Sequence, residues 1–323
     1  MDGSTLTTVS STRVQAVKEQ ILSYEPDIVG LQEDDMLWVN NFNLGSGYTR
    51  YGWSASSLWG NQEACAIWVK SGLSVKANGC KSLTSEGVTL SLTYGELTDG
   101  DGKYDMTADE LTTLGITNQS SLTSYLSYRL MNYVVLRIDG EYVIYVNTHL
   151  QHRGHNNDTY ESATAKDKLI YKLRYFERCA QMEILQGYIN ALKQQYGDKV
   201  IITGDFNDNS LGFDYGTNNG NFYSYVTDTL GWIDTKTVAF STENCDTWNS
   251  AFKDNDTYPQ GQGYVATDTD KQDNNRIDYC FVSEYFKNYI VKYDVGDYKW
   301  TTTGGAVVYP SDHLPVIVDI SLK

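Results

Sequence analysis

Five short polar segments interrupt the apolar stretches of this chain. They are Leu31-Gln-Glu33, Asn147-Thr-His149, Gly204-Asp-Phe-Asn207, Arg276-Ile-Asp278 and Ser311-Asp-His313. Each adjoins a run with strand character, and strand-end loops are where a rigid scaffold presents reactive groups. Carboxylates can hold a hard cation or take a proton from water, and amides and imidazoles can donate to an anion. A carboxylate beside an imidazole fixes its tautomer and favours its charged form. Taken singly, each segment is ordinary, because carboxylates often sit at solvated strand ends. The set as a whole carries the weight.

The elements that must position these residues are legible from periodicity. Val14, Val17 and Ile21 recur at helical spacing behind the capping residues Ser11 and Thr12, and Pro26 ends that helix. Residues 27–33 read as a buried strand ending in acid, and residues 64–69 as another. Residues 133–138 and 142–147 flank Asp139-Gly140, the strongest short hairpin signal. A long helical stretch runs from about Ala163 to Tyr196, as one helix or two, and Gly197 stops it. Strands follow at 199–203, running directly into Gly204-Asp205, then at 276–282 and 314–320. Mixed strands and helices with both hairpin and crossover connections imply packed sheets with helices outside.

The chain has 323 residues, with 25 basic and 41 acidic side chains and a formal charge of −16. That field repels polyphosphates at long range and weighs against a tight, nonspecific duplex binder. It leaves room for a nuclease with a metal and a local basic patch. No apolar run is long enough to span a bilayer, and Met1–Arg13 lack the apolar core of a signal peptide. Localisation is left between secreted and cytoplasmic. The cysteines, Cys65, Cys80, Cys179, Cys245 and Cys280, form no paired zinc spacing. Cys179 and Cys280 fall in a helix and a strand as buried thiols, and a Cys65–Cys80 disulfide is open only in a secreted protein. Residues 95–130 read as an insertion in one domain spanning 1–323. Within it, Asp99 to Asp105 resembles half of a calcium loop, but Leu97 and Ala108 occupy positions that need acids, so a solvated acidic turn is preferred to a Ca²⁺ site. His149, His152 and His155 step by three residues, and a loop is preferred to a separate zinc site. Arg178 and Gln181 are read as a solvated helix face. Most of the 26 Tyr and 7 Trp, among them Trp38, Trp53, Trp59, Trp232 and Trp248, are read as packing.

In order and spacing, the five segments resemble the signature motifs of the endonuclease/exonuclease/phosphatase superfamily, with the resemblance covering residues 11–323. It implies an α+β fold of the DNase I type: a four-layer α/β/β/α sandwich of two stacked, mainly antiparallel sheets flanked by helices. It also implies a phosphoesterase dependent on Mg²⁺ or Mn²⁺. By resemblance Glu33 is the principal metal ligand and Asp312 an outer one. Asp205 activates the attacking water and Asn207 holds nucleophile or phosphate. His313 stabilises the phosphate charge, Asp278 orients His313, and His149 donates to a phosphate oxygen. These parts suit phosphoester hydrolysis, which needs neutralised phosphoryl oxygens, an activated water and support for the leaving oxygen.

The chain departs from this pattern at its start. The family's opening strand, ending in an Asn at the metal site, has no counterpart before the first helix, and the polar Met1–Ser10 cannot supply a buried strand. The expectation is that the gene product begins upstream. Two functions follow: hydrolysis of a phosphodiester or phosphomonoester in nucleic acid, a phospholipid head group or a small phosphate, or a weakened binding module on the same fold. No obligate protein partner is evident, and a monomer is expected.

Overall fold

The computed structural model describes residues 11–34, 41–52, 65–85, 90–152, 163–208, 221–242, 276–296, 300–305, 307–308, 311 and 313–322. Several residues singled out in the sequence lie outside these: Met1–Ser10, Trp38, Trp53, Trp59, His155, Cys245, Trp248 and Asp312.

Helix α1 spans Ser11–Ser23 and leads into β1, Ile28–Gly30. Strands β2 (Tyr48–Tyr51), β3 (Ile67–Lys70) and β4 (Ser74–Ser82) follow. Helices α2 (Ala108–Leu114) and α3 (Gln119–Thr123) lie in the anticipated insertion. Next come β5 (Leu130–Ile138), β6 (Glu141–His149), α4 (Ala165–Tyr196) and β7 (Val200–Asp205). The remaining strands are β8 (Ile233–Asp234), β9 (Ser241–Thr242), β10 (Asp278–Val282), β11 (Ile290–Val295), β12 (Trp300–Thr301), β13 (Val307–Val308) and β14 (Val316–Ile320).

A six-stranded sheet in the order β4-β5-β6-β7-β10-β8 is antiparallel except where β6 lies parallel to β7. The β5–β6 hairpin closes through Asp139 and Gly140 with φ of 50° and 91°, the left-handed pair that a tight primed turn requires. Two three-stranded sheets, β1-β3-β2 and β14-β11-β9, pack on one face of it. Ile67 and Val69 of β3 join Val143, Tyr145, Ile201 and Cys280 of the large sheet in one core, with Val316 and Val318 of β14 against it. The other face carries α4, and Leu185 and Ile189 meet Ile144, Val146 and Ile202 there. Helix α1 covers the outer side of β1 and β3 through Val17, Ile21 and Trp68. The four layers are therefore helix, sheet, sheet and helix, as the sequence implied.

Strand β6 is buried from Val143 through His149, which explains its near-continuous apolar run. The insertion is not a surface excursion. Leu97, Met106, Leu111 and Leu122 enter the α4-side core, and Thr107 and Glu110 form a reciprocal capping box at the start of α2.

The long helical stretch, read as one helix or two, is one continuous helix of 32 residues. Two expectations need correction. The strand expected over 27–33 is only Ile28–Gly30, because the chain turns at Glu33. Arg178 and Gln181 are fully buried, not solvated. Arg178 pairs with Asp208 at 2.5 Å and donates to the Gln151 carbonyl, while the Gln181 amide oxygen accepts from the Gln151 N–H. Glu177 is buried in the same network and accepts from Ser127 N–H at 2.8 Å. Burial pushes its carboxyl up to about 7 despite the neighbouring arginines.

Candidate active site

Strand register assembles the site. His149 ends β6, Asp205 ends β7, and Asp278 begins β10. Pairing sets His149 opposite Asp205 and Asp205 opposite Asp278, so three reactive side chains stand abreast on neighbouring strands. Two features permit the close parallel approach of β6 and β7. Gly204 lies where a Cβ would come within 2.2 Å of the Thr148 carbonyl oxygen, so no other residue fits. Asn147, buried in β6, donates to the carbonyls of Leu31 and Ala66 and accepts from Gln32 and Thr203, tying the inner sheet to β1. An Asn in so apolar a strand is the sequence signal for this brace.

His313 arrives from the segment before β14. Its Nδ1 lies 2.9 Å from Asp278 Oδ2, and its Nε2 lies 3.9 Å from Asp205 Oδ2. Asp205, Asp278 and His149 are each less than 10% exposed, whereas the His313 side chain is 31% exposed. Burial, and then the adjacent Asp278, raises the Asp205 carboxyl to about 6, while His149 and His313 pull it down. Asp205 Oδ1 accepts from Asn207 N–H at 2.8 Å. That bond holds Asn207 at a φ of 55°, a left-handed conformation that Asn tolerates better than most residues. The Asn207 amide nitrogen is 2.9 Å from both the Leu150 carbonyl and His149 Nε2. The carbonyl can only accept, so this end of the amide is the NH₂, and His149 Nε2 is its acceptor.

Glu33 comes to the site from the opposite sheet. It is exposed, has a φ of 54°, and lines the same cavity as Asp205, Asp278 and His313. Next to it, Asp34 is buried against Arg50, at 2.9 and 3.1 Å. The structure therefore brings Glu33, Asp205, Asn207, Asp278, His313 and His149 to one end of the sandwich. Asp312 lies outside the described residues, though its neighbours Ser311 and His313 both line the cavity.

A divalent cation fits this donor set. Asp205, Asp278 and His313 offer ligand atoms within 4.8 Å of one another. Glu33 is not in that tight group, so its part in holding a cation rests on its place on the cavity wall. A second acidic group, Asp99, Asp101 and Asp105, is partly exposed and accepts from backbone N–H groups of its own turn. His149 and His152 enter no further metal-capable group among the described residues. Cys179 and Cys280 are buried thiols as expected, and Cys65 and Cys80 form no disulfide with each other.

The sequence matches the endonuclease/exonuclease/phosphatase family over residues 9–313. No curated protein matches it in sequence. Among solved structures it is similar to a mannosyl-6-phosphatase of Bacteroides thetaiotaomicron, at 16% identity and a TM-score of 0.58, covering 96% of this chain and 91% of that one. It is similar to truncated TDP2 of Caenorhabditis elegans at 19% identity and a TM-score of 0.53, covering 95% and 88%. The catalytic domain of human Nocturnin, with a bound sulfate, aligns at 16% identity and a TM-score of 0.52, covering 97% and 87%. At these identities the likeness is one of fold.

Proposed function

The chain belongs to the endonuclease/exonuclease/phosphatase family, and from that premise we propose that it is a divalent-cation-dependent hydrolase of phosphoesters. The observation that carries this reading is the register-aligned group His149, Asp205 and Asp278, completed by His313 on Asp278. A binding module has no chemical need for a buried carboxylate poised near neutrality beside a carboxylate–imidazole pair. Such groups cluster where protons move.

In the proposed mechanism Asp205 accepts the proton of the attacking water. Its raised carboxyl suits a base that must work near neutral pH. The Asn207 N–H groups go to the Leu150 carbonyl and to His149 Nε2, so its Oδ1 is left to accept from the attacking water, and His149 positions Asn207 in place of the expected donation to a phosphate oxygen. Asp278 holds His313 Nδ1–H, leaving Nε2–H of the imidazolium to donate to a phosphoryl oxygen as charge develops. Glu33, with Asp205 or Asp278 and with Asp312, which precedes His313 in sequence, would hold Mg²⁺ or Mn²⁺. When bound, the ion neutralises phosphoryl oxygens and makes the water easier to deprotonate. The net charge of −16 favours small phosphates or exposed phosphoryl groups over duplex nucleic acid.

The test is hydrolysis of bis-(p-nitrophenyl) phosphate and p-nitrophenyl phosphate in EDTA, Mg²⁺ or Mn²⁺. Turnover of at least one substrate is expected with the cation and loss of it in EDTA. Equal rates in EDTA would remove the cation from the mechanism, and no turnover of any phosphoester would sink the hydrolase reading.

A second expectation concerns the imidazole. His313→Ala should lower kcat by about 100-fold or more, since a lost oxyanion donor costs that much. Asp278→Asn should also slow turnover. It should shift the alkaline limb of the kcat–pH profile to lower pH, because the imidazolium loses its anionic partner. An unshifted profile in Asp278→Asn would mean that Asp278 serves structure alone.

A further inference from the structure

Glu33 holds an unfavourable backbone conformation. Its φ of 54° is left-handed, and its long side chain has none of the tolerance that an asparagine or a glycine shows there. A residue stays in that region only where its surroundings over-determine it. On one side of Glu33, Asn147 donates to the Leu31 carbonyl at 2.8 Å, and its amide oxygen accepts from Gln32 at 2.6 Å. On the other side the fixed point is Asp34. That side chain is 3% exposed, and its Oδ2 accepts from both Nε and Nη2 of Arg50.

Arg50 is itself fixed to the scaffold. It lies in β2 opposite Trp68 of β3, and its Nη1 donates to the Gly52 carbonyl at 3.2 Å. Gly52 has a φ of 98° and sits where a Cβ would come within 2.7 Å of the Asn132 side chain. Asn132, fully buried in β5, donates in turn to the Cys65 carbonyl at 2.9 Å. A line of contacts therefore runs from β5 through Gly52 and Arg50 to Asp34, and so to Glu33. Glu33 and Asp34 both line the catalytic cavity, and Arg50 stands behind its wall. Two successive carboxylates thus border one cation site, and the guanidinium is spent on Asp34.

We propose that Arg50 is a positioning residue that decides which carboxylate serves the cation: its fork occupies Asp34, anchors the left-handed turn and leaves Glu33 presented to the ion. This rests on the reading above in which Glu33 holds a divalent cation. Positioning and plain charge act with opposite sign here. The positive charge of Arg50 by itself repels a dication, so its removal would tighten cation binding. Loss of the fork lets Glu33 leave the left-handed region, which weakens binding. A lysine keeps the charge but is a point donor and cannot reproduce the planar fork. Positioning therefore requires weaker binding in Arg50→Lys and Arg50→Met alike, whereas charge alone requires no change in the first and tighter binding in the second.

The test is Mn²⁺ binding to the full chain without substrate, read from the paramagnetic resonance of free Mn²⁺, with urea midpoints in EDTA alongside. The proteins are the parent, Glu33→Gln, Asp34→Asn, Arg50→Lys, Arg50→Met and the double variant Arg50→Met with Asp34→Asn. Arg50→Lys and Arg50→Met should each raise the Mn²⁺ Kd by about tenfold or more, the scale on which a left-handed non-glycine residue is disfavoured. Asp34→Asn should do the same. Adding Arg50→Met to Asp34→Asn should change Kd by less than about threefold, because the arginine acts through the aspartate. Should Arg50→Met be too unstable to titrate, Arg50→Lys and Asp34→Asn carry the comparison. Unchanged or tighter Mn²⁺ binding in Arg50→Lys, where Glu33→Gln still weakens it, would overturn the role of Arg50 and leave Glu33 as a ligand. Unchanged binding in Glu33→Gln would instead remove Glu33 from the cation, and this inference with it. Tighter binding in Arg50→Met together with loss in Asp34→Asn would also overturn it, by naming Asp34 as the ligand.

Discussion

Asp205→Asn is expected to lower turnover of phosphoesters by roughly 100- to 10,000-fold, the range that general-base catalysis supplies. The substitution preserves shape and keeps an oxygen to accept the Asn207 N–H, a bond of 2.8 Å. It removes only the capacity to take a proton and the negative charge. Its effect should therefore fall on kcat with little change in folding. A variant within tenfold of the parent rate at saturating substrate and cation would remove Asp205 from the role of base.

The same variant carries a stability expectation of opposite sign. Burial and Asp278 raise the Asp205 carboxyl to about 6 from an ordinary value of 3.8. A group whose folded pKa is raised contributes stability that is present below its unfolded pKa and lost as pH rises through the folded pKa. Above about pH 6, in EDTA, the parent thus holds a buried carboxylate at a cost, and Asp205→Asn removes that cost. The variant should gain stability relative to the parent as pH rises from about 4 to about 6, and hold the gain above. Denaturant midpoints across that range in EDTA measure it. A gain that shrinks with rising pH would mean that the imidazoles outweigh burial and Asp278 at this carboxylate. Loss of function with gain of stability is the usual mark of a site held in an unfavourable electrostatic state for chemistry.

The sequence made the parts of this site visible but not their assembly. Glu33, His149, Asp205, Asp278 and His313 each stand at the edge of a run with strand character, so each could be picked out locally. That His149, Asp205 and Asp278 stand abreast depends on β6 running parallel to β7 and β10 antiparallel to it, which no local pattern encodes. The β5–β6 hairpin was legible because its turn needs left-handed residues and Asp139-Gly140 supplies them. The length of β1 was not, because the chain turns through a left-handed Glu33, a conformation its side chain does not advertise. Arg178 and Gln181 were misread because polar side chains on a helix usually face water. A signal existed nonetheless: Tyr171, Arg178 and Leu185 recur at seven-residue steps on one stripe of α4, and all three are buried. Arginine on an apolar stripe calls for a buried acid, and Asp208, just after Asn207, is that acid.

Arg178→Ala is expected to destabilise the fold by about 3–5 kcal/mol, the cost of leaving one member of a buried ion pair alone. Both side chains of the Arg178–Asp208 pair are fully buried, so no water can take over. The arginine also donates to the Gln151 carbonyl at 3.3 Å and lies over the Phe222 ring at 5.4 Å. These contacts join α4, the segment after β6 and the loop that carries Asn207. The loss should therefore reach the active site as well, since Arg178 anchors Asp208, the residue next to Asn207. Three comparisons separate charge from packing. Arg178→Lys keeps a cation beside Asp208 but lacks the planar fork, and should recover part of the loss. Asp208→Asn alone leaves the guanidinium buried without its anion and should cost nearly as much as Arg178→Ala. Combining Arg178→Met with Asp208→Asn removes both charges, and should be more stable than either charge-breaking single variant. Urea unfolding of the four variants measures these differences, with kcat under saturating cation read in parallel. If Arg178→Ala costs less than about 1 kcal/mol, the pair is not the uncompensated-charge lock its burial implies. If the double variant is the least stable of the set, packing around the guanidinium outweighs its charge.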